Sequence, residues 1–322
     1  YLPTLPKRLR GFDFFGFAML ALGIGALQLM LDRGGEVDWF ASWEVWIELA
    51  VALSGFWVFV VHILSAKAPF VDPRMFADRN FAAALVFIFI IGVILLASLA
   101  LLPPMLAHIF GYPTITTGLV MAPRGVGTMI SMIVVGRLVH RVDARILVMT
   151  GLSLTSVSLY MMMGFSPDMN EAPIIWSGVV QGLGLGLVFV PLTTLAYATL
   201  EPKFRADAAA FFSLVRNIGS SIGISIVSAL LVHNTQVNHA ELSAGMTPYN
   251  PVLRHALPGA VMGDPTSLSA LDGLVTKQAL MVAYVDDFKF MFIVTLIAMG
   301  LALFLRPPAQ RSTGIDAAAM AE

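Results

Sequence analysis

The chain has 322 residues, of which 58% are hydrophobic and 12% charged, and its mean hydropathy is +0.84. Soluble domains contain about 45–50% apolar and about 25% charged residues, so this chain has too little polar surface to cover a water-soluble fold. Its 19 basic and 20 acidic residues give a net charge of −1, which excludes a nucleic-acid binder. The lack of cysteine excludes disulfide scaffolds and thiolate metal sites. The composition indicates an integral membrane protein.

Continuous apolar runs long enough to cross a bilayer recur eight times along the chain. A hydrocarbon core about 30 Å thick requires roughly 20 apolar residues per helix, whereas the strands of a barrel would alternate polar and apolar residues. The sequence therefore predicts an all-α polytopic membrane protein. Its expected spans are 14–31, 45–65, 81–102, 117–135, 146–165, 174–195, 208–232 and 288–305.

Basic residues are distributed unevenly between the two sets of loops that eight spans create. Thirteen Lys and Arg residues fall in the set that includes both chain ends, four fall in the other set, and Arg124 and Arg216 lie inside spans. Because cytoplasmic loops carry the excess of positive charge, we expect both ends of the chain in the cytoplasm. The chain begins at Tyr1 in a basic, proline-containing stretch, so we expect a piece of a longer protein.

The longest connection, 233–287, is expected on the outer side. Its apolar residues from Leu268 to Val285 recur near helical spacing, and Ser269 with Asp272 resembles a capping box. This pattern predicts an amphipathic helix on the outer membrane face. The alternative is a solvated loop that contains one short helix.

The two arginines inside spans are the first candidate functional residues. An intramembrane arginine costs from a few to more than about ten kcal/mol, so it normally faces a water-filled cavity or a partner. We expect Arg216 to face a transport cavity or a neighbouring bundle, with Asn217 bonded to an adjacent helix. Arg124 is expected to face a cavity or to reach an interface. The predicted spans contain no buried carboxylate that would pair with either arginine.

Two pairs of glycines have the spacing of close helix contacts. Gly182 and Gly186, and likewise Gly219 and Gly223, are four residues apart and so share one helix face. Such faces either pack statically or allow helices to slide during transport. Enzyme signatures are missing from the sequence, and its six histidines show no metal-ligand spacing, so an enzyme is not expected.

Several segments resemble the major facilitator superfamily. Residues 136–145 resemble the second copy of its signature Gly-x-Leu-x-Asp-Arg-x-Gly-Arg-Arg, with His140 at the Asp position and Asp143 at the second Gly. Further segments make the chain similar to the fourteen-span EmrB/QacA drug:proton antiporters, in particular to the EmrB type. These segments are 31–40, 69–81, 122–125, 181–194 and 216–223.

The resemblance implies the major facilitator fold, with this chain corresponding to the last eight of fourteen spans. The family's N-terminal bundle, which carries an acidic residue for proton coupling, would lie outside it. The implied domains are a cytoplasmic linker 1–10, two central linking helices 11–65, a cytoplasmic interfacial segment 66–80, a C-terminal six-helix bundle 81–306 with the periplasmic loop 233–287, and a cytoplasmic tail 307–322.

The resemblance also implies a function, namely multidrug efflux by proton-coupled antiport across the bacterial inner membrane, with alternating access between two bundles. The proton gradient would supply the energy without a cofactor. The implied partners are hydrophobic or amphipathic drugs, protons, the lipid bilayer, a periplasmic adaptor (EmrA-like) and an outer-membrane channel (TolC-like). Alternatives are a dedicated exporter of one endogenous metabolite on the same fold, or a non-transporting membrane scaffold.

Two groups of candidate site residues follow. We assign to the substrate pathway Arg216, Asn217, Arg124, Gln181, Phe189 and Thr193. We assign to conformational or packing motifs Gly136, Arg137, Arg141, Asp143, Arg145, Gly182, Gly186, Pro191, Gly219 and Gly223. Apolar side chains suited to varied ligands include Met161, Met162, Met163, Phe211 and Phe212.

Overall fold

The computed structural model describes residues 13–66, 69, 71–139, 141–246 and 265–302. The expected segments 1–10 and 307–322, and residue His140, lie outside them. The long helices are α1 (Phe14–Arg33), α2 (Trp43–Ser65), α3 (Arg79–His108), α4 (Thr114–Leu138), α5 (Ala144–Met162), α6 (Ala172–Ala198), α7 (Arg205–Ala244) and α8 (Pro265–Ala302). Short 3-10 segments at Trp39–Ala41, Pro73–Ala77 and Pro202–Phe204 lie in the connections.

The helices have the length and composition of membrane spans. Within the described ranges, the seven helices α1 to α7 are long and apolar enough to cross a bilayer. The eighth helix, α8, is described as far as Ala302, and its apolar stretch begins at Phe288 and is interrupted by Lys289. The prediction of an all-α polytopic membrane protein is confirmed, with seven helices of membrane-spanning length and composition among the described residues.

Aspartate and serine side chains begin several of the helices. The Asp78 carboxylate accepts hydrogen bonds from the backbone N–H groups of Asn80 and Phe81 at the start of α3, and Asp143 accepts from the N–H of Arg145 at the start of α5. Such caps satisfy N–H groups that have no partner within the helix. The Thr199 hydroxyl at the end of α6 also donates to Asp78, at 2.9 Å.

The starts of α3 and α7 lie at one end of the molecule, because Asp78 contacts Thr199, which lies six residues before α7. Helix α5 starts at the same end because it runs antiparallel to α6, with Gly151 against Gly184. Arg79, Arg145 and Arg205 lie at the starts of α3, α5 and α7, and we call this the basic end. The other end, where α3 and α5 finish, is called the far end.

The helices α1 and α2 form an antiparallel hairpin. A β-carbon on Gly55 would lie 2.9 Å from the Cα atom of Gly23, so the two backbones are nearly in contact. At the basic end the His62 ring lies 2.9 Å from the Asp13 carboxylate, and at the far end Arg33 pairs with Glu44. On α7, Ser221 and Ser225 donate hydrogen bonds to Gln28 and Leu31 of α1, so the hairpin is attached to the bundle through α1.

The remaining six helices, α3 to α8, form a bundle with α3 at its centre. Helix α3 packs against α6, α7 and α8, while α6 also packs against α4 and α5. Two thirds of the most apolar stretch of α3 is buried. The core toward the basic end includes Phe81, Ile88, Leu192 and Phe212. The core toward the far end includes Leu101, Met105, Phe165 and Phe288.

The expected outer loop 233–287 is largely helical. Helix α7 continues to Ala244, and α8 begins at Pro265 and runs without interruption to Ala302; residues 247–264 are outside the described ranges. The segment expected as an amphipathic surface helix instead packs on α7, with Leu271 and Val275 buried. The segment is helical as expected, but its surface position was wrong, because its apolar face is covered by α7 and the helix continues into the span.

Candidate functional site

A polar cluster lies buried among the helices α3, α4 and α6. Arg124 is only 7% exposed, and its Nη2 atom donates to the Leu95 carbonyl oxygen at 3.3 Å. The Ser98 hydroxyl donates to the same carbonyl at 2.9 Å and accepts from Gln181 Nε2 at 2.9 Å. Arg124 Nη1 and Gln181 Oε1 have no hydrogen-bond partner in the described part of the chain. The structure thus brings together Arg124 and Gln181.

Small residues on α6 allow Arg124 to reach this position. A β-carbon on Gly182 would overlap the Arg124 carbonyl oxygen and lie 3.0 Å from the backbone nitrogen of Thr128. One turn further along, a β-carbon on Gly186 would lie 2.7 Å from that of Ser131, whose hydroxyl donates to the Leu183 carbonyl. The close approach of α4 to α6 therefore depends on the first of the predicted glycine pairs.

Arg216 lies in a different environment from Arg124. It is half-buried on α7, and its guanidinium carbon lies 5.4 Å from the centre of the Phe189 ring on α6, which is a cation–π contact. No ion pair of Arg216 occurs among the residues that the structure describes. Asn217 is exposed, and its side chain forms no hydrogen bond to another helix within the described ranges, so its expected bond stays a prediction.

The pathway candidates on α6 lie at two levels of the bundle. Phe189 follows Gln181 by eight residues, which places it about 12 Å closer to the basic end. Thr193 is half-buried a further turn along, and its hydroxyl donates to the Val190 carbonyl at 2.9 Å. Pro191 is buried within the helix and provides no backbone N–H for the α6 hydrogen-bond ladder. The candidates thus form an Arg124–Gln181 group and an Arg216–Phe189 group.

The second glycine pair lies where α7 meets α3. A β-carbon on Gly219 would overlap the Phe89 carbonyl oxygen, and one on Gly223 would lie 2.6 Å from the Cα atom of Val93. Both predicted glycine faces are therefore close helix contacts. Whether either contact slides during transport stays a prediction.

The short connection between α4 and α5 carries the signature residues. Asp143 is the N-cap of α5 and bonds to the N–H of Arg145, so the residue that replaces the second signature glycine begins a helix. Arg137 and Arg141 are exposed, and Gly136 has open space beside it. These arginines form no ion pair within the described ranges.

Sequence reasoning missed a carboxylate inside the bundle. Asp287 on α8 has an exposed fraction of 0%, and neither of its carboxylate oxygens has a hydrogen-bond partner among the described residues. The sequence placed Asp287 in a loop because the last apolar run starts one residue later. The signal that could have identified it is the apolar periodicity before it, which continues into that run.

An apolar cleft separates the linking hairpin from the bundle. It has a volume of about 470 Å³ and lies mainly between α1 and α7, where its walls include Leu20, Ile24, Phe211 and Leu214. Gln28 and Asp207 are its polar lining side chains. Of the apolar candidates on helices, Phe211 lines this cleft, whereas Phe212 and Met162 are buried in the core.

Several known proteins that are similar to this chain are named export or resistance proteins. The family model described as Major Facilitator Superfamily matches residues 11–224. The multidrug export protein EmrB of Escherichia coli (strain K12) is 31% identical over 303 residues, which cover 93% of this chain and 59% of that protein. The fatty acid resistance protein FarB of Neisseria gonorrhoeae is 29% identical, with 92% of this chain and 59% of that protein covered.

The chain spans about three fifths of the length of these relatives. Among solved structures, a bacterial homologue of the human lysosomal transporter Spinster, in an inward-facing and unoccupied conformation, matches with a TM-score of 0.49 and 18% identity. That match covers 90% of this chain and 67% of the other. The family model covers about two thirds of the sequence, and on this ground the chain belongs to the Major Facilitator Superfamily.

Proposed function

We propose that this protein exports hydrophobic or amphipathic drugs in exchange for protons across the bacterial inner membrane. In this proposal the bundle α3–α8 alternates against a second bundle outside the chain, so that a shared cavity opens to each side in turn. The proton gradient supplies the energy, and no cofactor takes part. The excess of basic residues supports a cytoplasmic position of the basic end and of both ends of the chain.

The observation that carries the proposal is the apolar cleft between α1 and α7. Its volume of about 470 Å³ falls within the range of small-molecule sites, and its walls are nearly all aliphatic or aromatic. Such a lining suits ligands that share a large apolar surface but differ in shape. One relative is named a multidrug export protein and another a fatty acid resistance protein, and a fatty acid is a molecule with a large apolar surface.

Arg216 supplies a cation near this cleft but on another side of α7. Neighbouring residues are about 100° apart around a helix, so Arg216 faces α6 and Phe189 while Phe211 and Leu214 face α1. A half-buried guanidinium stacked on a ring keeps donors available for a passing ligand or for the second bundle. We therefore place Arg216 in the transport pathway.

The proposed partners are a periplasmic adaptor (EmrA-like) and an outer-membrane channel (TolC-like). Helix α7 has 40 residues and is about 60 Å long, twice the thickness of the hydrocarbon core. Together with α8 it extends the bundle at the far end, where exposed apolar residues include Val237, Leu242, Leu268 and Leu274. An exposed apolar surface at the periplasmic side supports contact with a partner protein.

Transport by the full-length protein in energised inverted membrane vesicles tests the proposal. We expect uptake of several structurally unrelated hydrophobic dyes into the vesicles, and we expect a proton-gradient uncoupler to abolish it. Vesicles that contain the empty expression vector are the control. Uptake that persists with the uncoupler would contradict proton coupling, and uptake of a single compound would contradict multidrug export.

A further inference from the structure

Asp287 is buried in the bundle without a counter-charge. Its exposed fraction is 0%, and both carboxylate oxygens are without a hydrogen-bond partner in the part of the chain that the structure describes. The neighbouring side chains on the same helix, Tyr284 and Phe288, are also fully buried. They belong to the far-end core, which surrounds this turn of α8 with apolar side chains from α3, α5 and α7.

The contacts between α5 and α8 show the level at which Asp287 lies. Met299 contacts Ser153 in the middle of α5, and the Phe288 ring lies 5.9 Å from that of Phe165, just beyond the end of α5. Asp287 is twelve residues before Met299, about 18 Å along the helix axis. The carboxylate therefore lies close to the far end of the bundle, inside the protein rather than in water.

No ionisable group on α8, or on the described helices that pack against it, balances a negative charge on Asp287. On α8 itself, Asp286 is half-buried, Lys289 is exposed, and the Tyr284 phenol is buried about one turn before Asp287 and carries no charge in its protonated form. The facing parts of α3, α5 and α7 carry His108, Tyr160 and His233, all exposed, and His239, which bonds to Asp272. None of these groups forms a hydrogen bond or ion pair with Asp287 in the described ranges.

The energy of burial favours the neutral form of this side chain. An ionised carboxylate that is removed from water without a partner is strongly disfavoured, whereas a neutral carboxylic acid without hydrogen bonds is disfavoured much less. A proton is the smallest ligand that removes the charge, and it requires no rearrangement of the packed core. A buried acid within a membrane bundle is also a common element of proton pathways.

We propose that Asp287 is a proton-binding site of the bundle, protonated while the far end is packed and deprotonated when that end opens to water. The proton moves between water at the far end and one carboxylate oxygen, and no other bond forms or breaks. This proposal rests on proton-coupled export as the proposed function. It assigns to the C-terminal bundle a protonation site of its own.

Infrared spectroscopy of the purified full-length protein in lipid tests this directly. We expect a carbonyl band of a protonated carboxyl group at neutral pH that disappears as the pH is raised. Asp287→Asn should remove this band, and Asp286→Asn, the matched control on the same helix, should keep it. An unchanged band in a folded Asp287→Asn protein would overturn the proposal.

A second measurement needs no variant. The lipophilic reagent dicyclohexylcarbodiimide modifies protonated carboxyl groups in apolar surroundings, so mass spectrometry of the labelled wild-type protein should find an adduct on Asp287 that decreases with rising pH. Adducts on other carboxyl groups but not on Asp287 would overturn the proposal, even if Asp287→Asn fails to fold.

Transport separates this inference from the proposed function. We expect Asp287→Asn to lose uncoupler-sensitive efflux but to retain exchange of labelled for unlabelled drug, which requires no net proton movement. Full proton-driven efflux by Asp287→Asn would overturn the proton site while leaving the export function intact. If the wild-type protein shows no uncoupler-sensitive efflux, the proposed function fails, and the infrared band still decides whether Asp287 binds a proton.

Discussion

Arg124 and Arg216 are accommodated in the bundle in two different ways. Arg124 is buried and donates to the Leu95 carbonyl within a network that includes Ser98 and Gln181. Arg216 is half-buried and stacks on the Phe189 ring without an ion pair in the described ranges. A guanidinium held in a network is fixed, whereas one that rests on a ring can change partners. We therefore expect Arg216 to act during transport.

Replacing Arg216 by Ala should abolish efflux while the protein still reaches the membrane in normal amounts. The substitution removes the charge and the contact with Phe189. Arg216→Lys should retain part of the activity, because an ammonium keeps the charge and the ring contact but lacks the planar fork of donors. Dye efflux normalised to membrane-inserted protein is the measurement, and Arg205→Ala, exposed on the same helix, is the control. Normal efflux by Arg216→Ala would show that Arg216 is not in the pathway.

Replacing Gly182 by Ala should destabilise the bundle. The added β-carbon would overlap the Arg124 carbonyl oxygen, so α4 and α6 would have to separate, at a cost of about 1–3 kcal/mol. Gly125→Ala, next to Arg124 on α4, is the matched control because nothing lies within 4 Å of its β-carbon. Thermal unfolding in detergent should show a lower midpoint for Gly182→Ala alone. Equal midpoints for the two variants would contradict the close approach of α4 and α6.

The sequence predicted the glycine contacts but not the polar cluster. A spacing of four places two glycines on one helix face, so a contact surface is evident from a single helix. Ser98, Arg124 and Gln181 come from three helices, and only the packing of α3, α4 and α6 brings them together. Asp287 was missed because a charge next to an apolar run was interpreted as the edge of the membrane.

At the scale of whole helices, α7 and α8 are longer than the membrane requires. They have 40 and 38 residues, whereas roughly 20 are needed to span the hydrocarbon core. Beyond the span they remain in contact, since His239 on α7 lies 3.0 Å from the Asp272 carboxylate on α8. The two helices therefore form one paired structure that includes both the span and its extension.

Cross-linking tests this pairing. The 322-residue sequence has no cysteine, so a His239→Cys, Asp272→Cys double variant should be joined by a short bismaleimide in membranes. The control pair is His239→Cys with Leu274→Cys, because Leu274 is 55% exposed and lies on a different face of α8. Proteolysis between the two sites followed by electrophoresis detects the link. If this part of α8 were a surface helix separated from α7, the two cysteine pairs would be cross-linked to the same extent.

For the whole molecule, the proposed orientation places the basic end in the cytoplasm. Single cysteines introduced at exposed positions test this orientation. Gly35→Cys and Ser243→Cys lie at the far end, and Ala206→Cys lies at the basic end. In spheroplasts, an impermeant maleimide should label the first two and should label Ala206→Cys only after the membrane is permeabilised. Labelling of Ala206→Cys in intact spheroplasts would reverse the orientation.

Most of the fold could be predicted because each span is a local property of the sequence. Apolar runs of about 20 residues predicted α1 to α7, and each predicted run lies within the helix that the structure shows, or within a few residues of it. The ends were less well predicted, because hydropathy decreases where a helix leaves the membrane while its hydrogen bonding continues. Thus α3 continues through Pro103 and Pro104 to His108, although its apolar run suggested an end at 102.

The central position of α3 has a consequence for how the protein is made. Its main partner, α7, begins 97 residues after α3 ends, so at about 5–20 residues per second the ribosome needs roughly 5–19 seconds to reach it. During that interval α3 must rest in lipid or beside the translocon with its future packing surface uncovered. The apolar character of α3 makes this stable, whereas a polar residue introduced on that surface would impair insertion before any packing could compensate for it.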